Sequence, residues 1–91
     1  MPVYQINYDI KKRNDFEYGP LTEALENLGA VRTLLSTWML ANDASQKAVY
    51  DHFLPFVHKD DRLMVIRVYD RPNWNNGLLG TRDFIDLHWP Q

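Results

Sequence analysis

The chain has 91 residues, 45% of them hydrophobic and 13% aromatic, with a formal charge of −2 from 10 basic and 12 acidic side chains. That length allows one modest core and excludes two, the apolar content excludes a disordered chain, and the charge balance excludes a general basic field that would hold nucleic acid without a local patch. Cysteine is absent, which removes disulfides, thiol catalysis and thiolate metal sites together. The N-terminus shows no basic-then-apolar leader, and no apolar run approaches the roughly 18 residues that span a bilayer, so a cytoplasmic protein with no membrane partner is expected.

Val3 to Asp9 alternates as a strand does, with Tyr4, Ile6 and Tyr8 on one side and Val3, Gln5, Asn7 and Asp9 on the other. Lys11 to Glu17 is a charged connection. Gly19-Pro20 then opens a helix, because proline suits the first helical position, where its missing N–H costs nothing. Leu21, Ala24, Leu25 and Leu28 form its core-facing stripe, and Gly29 supplies the stop.

Val31 to Leu40 is again rich in β-formers, and periodicity alone predicts a single strand there. After the polar break Ala41-Asn42-Asp43 a second helix is expected, with Gln46 three residues past Asp43 in the position of a capping box. Its broad apolar face carries Ala48, Val49, His52, Phe53 and Phe56, and Pro55 makes the last turn irregular.

Arg62 to Tyr69 is nearly continuous in hydrophobicity and predicts a central or doubly covered strand. Arg71 to Gly77 is dense in turn-formers and reads as a loop. In Leu78 to Trp89 two patterns compete. Ile85, Leu87 and Trp89 alternate like an edge strand or extended tail, which is the reading adopted here, while Thr81 followed by Asp83 could cap a short helix.

Two amphipathic helices and short connections imply one domain, 1–91, with its core in about 3–70 and a loop and tail in 71–91. The expected architecture is an α+β sandwich, with both helices on one face of an antiparallel sheet. The opposite sheet face is then left bare, with Tyr, Trp and Val side chains on it, and a two-fold homodimer would cover it.

Tyr8-Asp9-Ile10 at the end of the first strand, Arg32-Thr33-Leu34-Leu35-Ser36-Thr37-Trp38 after the first helix, and Asp61 to Tyr69 resemble one known pattern. It is that of the CRISPR-associated protein 2 and VapD superfamily, and within it the small stand-alone SinR-like proteins; the resemblance covers about residues 3 to 70. It implies a ferredoxin-like βαββαβ fold in which Val31 to Leu40 breaks near Leu35 and Ser36 into a hairpin. It also implies a homodimer joined through the sheet, often with a C-terminal strand added to the partner's sheet, a role for which Leu78 to Trp89 is the candidate.

The same resemblance makes Asp9 the candidate catalytic and metal-binding residue, because the family's proposed active site shares a Mg²⁺ between two such aspartates across the dimer axis. One carboxylate alone holds a divalent cation weakly. Asp9 could equally end a strand and start a turn. Ser36 matches the family's hairpin serine and would hold a phosphate or water beside Asp9, although a hairpin serine commonly satisfies its own backbone. Trp38 stands where the family usually has phenylalanine, and core or dimer interface is its expected place.

Lys11, Lys12 and Arg13 could bind phosphates next to Asp9 or could form an ordinary solvated turn. The family's arginine pair, normally on or near the first helix, is missing, and Asn14, Asp15 and Glu17 stand there. His52, His58 and His88 have no metal-ligand spacing. Arg67, inside an apolar strand, is expected to pair with an acid. Trp74 is the candidate anchor for a partner, unless it folds back onto the core.

Two functions follow from these residues. The first is a Mg²⁺-dependent endonuclease acting on RNA through paired Asp9 residues. The second is a non-catalytic dimer that binds RNA, DNA or a protein, as in adaptation complexes or toxin–antitoxin systems.

Overall fold

The computed structural model of the chain describes residues 1–10 and 19–90. Its elements in order are β1 (Val3–Asp9), α1 (Gly19–Asn27), β2 (Val31–Leu34), β3 (Thr37–Ala41), α2 (Gln46–Phe53) with a 3₁₀ turn at Leu54–Phe56, β4 (Arg62–Val68) and α3 (Thr81–His88). The four strands form one sheet in the order β2-β3-β1-β4, and each neighbouring pair is antiparallel.

β1 runs through the middle of the sheet, and its alternation divides the core in two. Tyr4, Ile6 and Tyr8 point to the face covered by α1 and α2, where they pack with Leu21, Leu25, Trp38, Leu40, Val49, Phe53 and Val65. Burying this many large apolar side chains is the main driving force for the sandwich. α1 ends at Gly29, whose φ is +81°. There Gly29 N–H donates to Glu26 O and Ala30 N–H to Leu25 O, a pair of bonds that satisfies carbonyls the helix leaves open.

Five sequence expectations are corrected by tertiary structure. Val31 to Leu40 is not the single strand that periodicity predicts but two, with a turn at Leu35-Ser36, where the family resemblance implied a hairpin break. Neither residue is a glycine, proline or asparagine, and serine alone is a weak turn signal. The turn is held from outside, by Arg32 Nε and Nη2 donating to Leu35 O at 3.0 and 2.7 Å and by Tyr8 N–H donating to Ser36 O at 3.1 Å.

The start of α2 also differs. Ser45 is its cap, with Oγ accepting from Ala48 N–H at 3.1 Å. Gln46 instead reaches β4, where its Oε1 accepts from Arg67 N–H at 2.8 Å. β4, predicted to be central, is an edge strand, with Met64 60% and Ile66 42% exposed. Its apolar run is the product of one packed side, Leu63 and Val65, and one open side.

The C-terminal segment is a helix, α3, and not a strand or extended tail. Thr81, Phe84 and Ile85, at helical spacing, are buried, while Leu87 from the alternating reading is 73% exposed. α3 lies on the second sheet face, so that face is not bare. There Phe84 and Ile85 pack with Val3 and Met39, flanked by Val31, Ala41, Val68, Trp74 and Trp89. Valines and tryptophans do lie on this face, as expected, while Tyr4, Tyr8 and Trp38 belong to the other one.

α3 is tied down at both ends. Leu78 N–H donates to Thr33 O at 2.9 Å at its start. At its end Arg71 donates to Trp89 O at 2.7 Å and to Asp86 Oδ1 at 2.8 Å, and Trp89 Nε1 donates to Tyr69 O at 3.0 Å. No helix among the described residues is long and apolar enough to cross a membrane.

Candidate functional site

The row structure of the second face positions the site. Pairing places Val3, Ala41 and Val68 side by side at one end, then Gln5, Met39 and Ile66, then Asn7, Thr37 and Met64, and finally Asp9 against Arg62. α3 packs on the first rows. The last rows lie beyond it and form a surface depression of about 390 Å³ lined by Asn7, Asp9, Ser36, Thr37, Arg62 and Met64 among others.

Asp9 and Ser36, far apart in sequence, therefore share one depression, because the Tyr8-to-Ser36 backbone bond draws the hairpin turn against the end of β1. Asp9 is exposed and has a partner: Arg62 Nη1 lies 3.6 Å from its Oδ2, on the neighbouring strand. Sequence reasoning missed Arg62 as a site residue. Only the β1–β4 register brings it to Asp9.

Beside this pair the side chains form a polar chain across the sheet. Thr37 Oγ1 donates to Asn7 Oδ1 at 2.9 Å, and Asn7 Nδ2 donates to Gln5 Oε1 at 3.3 Å. Asn7 and Thr37 are thus occupied with each other. Ser36 Oγ has no hydrogen-bond partner among the described residues, so its hydroxyl is available to a bound group.

The remaining sequence candidates fall elsewhere. Lys11, Lys12 and Arg13 lie outside the described residues. Trp38 is 3% exposed, and its Nε1 donates to Tyr8 Oη at 3.0 Å inside the helix-facing core, so it presents no surface to a partner. Trp74 folds back against the α3 cluster with the Arg82 guanidinium 5.0 Å from its ring centre. Arg67 lies over the Tyr69 ring at 4.6 Å, and no carboxylate among the described residues pairs with it, contrary to the expected ion pair.

His52 and His58 are exposed, and the rings of His52 and His88 contact Phe53 and Phe84. Among the described residues no three His, Asp or Glu side chains gather as a metal site. Among the described residues one copy of the depression therefore offers a cation a single carboxylate, with the Arg62 guanidinium 3.6 Å away, which is a poor donor set for Mg²⁺. A pair of copies would offer two.

No protein-family model and no solved structure matches the chain.

Proposed function

We propose that the protein is a ferredoxin-like homodimer of the CRISPR-associated protein 2 and VapD kind that acts as an endoribonuclease through two Asp9 depressions brought to a common axis. The observation that carries this reading is the exposed position of Asp9 at the end of an interior strand, sharing one depression with Ser36, whose hydroxyl has no hydrogen-bond partner among the described residues. The strand order β2-β3-β1-β4, antiparallel throughout, supports the ferredoxin-like assignment, as do α1 and α2 on one face.

Two Asp9 carboxylates would hold a Mg²⁺, and such an ion supplies water activation and stabilises phosphoryl charge. The chain's own part is then positional. Ser36 would hydrogen-bond a phosphate oxygen, and the exposed guanidinium of Arg62 would reach the neighbouring phosphate.

The second reading, a non-catalytic dimer binding nucleic acid or protein, is favoured by one specific contact. Among the described residues lining the depression, the one acid, Asp9, faces one base, Arg62, at 3.6 Å, a balance that suits docking. A single experiment separates the two. Purified protein and its Asp9→Ala variant are incubated with single-stranded RNA and with duplex DNA, in Mg²⁺ or in EDTA. The nuclease reading expects Mg²⁺-dependent RNA cleavage that falls to background in the variant, and cleavage that survives the substitution ends it. No cleavage in either protein, together with a salt-sensitive gel shift, selects the binding reading.

A further inference from the structure

A second depression lies on the same sheet face, beside α3. Its volume of about 470 Å³ is within the usual range of small-molecule sites, and it is bounded by the second row of the face, by α3 and by the loop that follows β4. Met39 and Ile85, 3% and 1% exposed, form its floor, with Ile66, Val68 and Trp74 around them. It shares no lining residue with the Asp9 depression.

The walls are fixed by bonds of the chain to itself. Leu78 N–H holds the start of α3 to Thr33 O, Arg71 holds its end through Trp89 O and Asp86, and the Arg82 guanidinium sits over the Trp74 ring. A cavity whose walls already stand in place loses little conformational freedom when it is filled.

The polar groups around it are largely engaged. Thr33 Oγ1 donates to Thr37 O, Thr81 Oγ1 donates to Leu78 O, and Arg71 is taken up by Asp86 and Trp89 O. At the rim Arg67 and Asp70 are exposed and opposite in sign. Gln5 is the exception. Thr37 occupies Asn7 Oδ1, which leaves Asn7 Nδ2 to donate to Gln5 Oε1 at 3.3 Å, and Gln5 Nε2 then has no acceptor among the described residues.

This lining selects its occupant. A charged group pressed against Met39, Ile66 and Ile85 would lose its water and find no free counter-charge on that floor, whereas an apolar body removes the same surface from water. One oxygen on such a body would answer the open Gln5 donor.

We infer that this cavity binds a small uncharged molecule, apolar over most of its body and carrying a carbonyl or ether oxygen that accepts from Gln5 Nε2. The inference goes beyond the paired-Asp9 reading and does not depend on it.

Proton–nitrogen NMR titration of the full chain tests it with three probes of one shape: acetophenone, neutral with an acceptor, ethylbenzene, which lacks one, and benzoate, which is charged. Acetophenone is expected to shift the Gln5 side-chain amide, the Trp74 indole N–H and the backbone amides of residues 66, 68 and 85 along one saturable curve. Ethylbenzene binds about threefold to tenfold more weakly, and benzoate more weakly than either. Gln5→Leu, which removes the donor and keeps an apolar side chain in its place, lowers acetophenone to the affinity of ethylbenzene. Ile66→Trp, a larger side chain at a half-exposed position of the wall, abolishes binding of both while the amides of Leu40 and Phe53 keep their positions. Shifts that never saturate and scatter to exposed residues such as Leu35 and Leu79, or no shift at the cavity, overturn the site. Benzoate binding more tightly than acetophenone, or acetophenone binding unchanged in Gln5→Leu, overturns the class of ligand assigned to it.

Discussion

Trp38 shows how a side chain that looks like a binding element in sequence can be committed to the interior. Its indole N–H is buried and donates to the Tyr8 hydroxyl, so Trp38→Phe keeps an aromatic ring in place but deletes a buried donor and some volume. The expected loss is about 1–2 kcal/mol in the unfolding free energy from urea titration, with no change in nucleic-acid binding. Gly77 is the second residue whose role is steric. A Cβ placed there would lie 2.8 Å from Thr81 Oγ1 and 2.9 Å from Thr81 Cβ, at the first turn of α3. Gly77→Ala is therefore expected to quicken hydrogen exchange in 81–88 while the strands keep their protection.

At the scale of the element, α1, α2 and β1 were legible because their signals are local. Gly29 stops α1 through its left-handed backbone, and the alternation of β1 assigns its two faces correctly. The cap of α2 was misplaced by two residues, since Asp43 and Ser45 are both good capping types and the choice depends on where the chain enters the helix. Ser45→Ala should lower stability by about 1 kcal/mol in thermal or urea unfolding. Two elements were not legible from local pattern. The Leu35-Ser36 turn, which only the family resemblance implied, has neither glycine nor asparagine and depends on Arg32 and on β1, and α3 satisfies a weak helical and a weak alternating pattern at once until packing against Val3 and Met39 selects the helix.

At the scale of the whole molecule, the site is a product of register. Asp9 was read from the end of its strand, but Arg62 and the nearness of Ser36 come from pairings between segments dozens of residues apart. The same pairings divide the second face into an end that carries the candidate site and an end under α3. A bare sheet face would need a second copy as cover. Here the chain supplies its own cover, α3, whose Phe84 and Ile85 pack on Val3 and Met39.

The sequence by itself determined the class of the protein: one modest core, three of the strands, two amphipathic helices, and an acid at the end of the first strand. Those features depend on composition and on periods of two or a few residues, which neighbours in the chain enforce. Periodicity could not show that Val31–Leu40 folds back on itself, which only the family resemblance implied, and tertiary structure alone decided that β4 is an edge, that α3 is a helix, and that Asp9 meets Arg62 and Ser36. Each of those outcomes is a contact between distant segments, whose free energy exceeds the weak local preferences that would have decided otherwise.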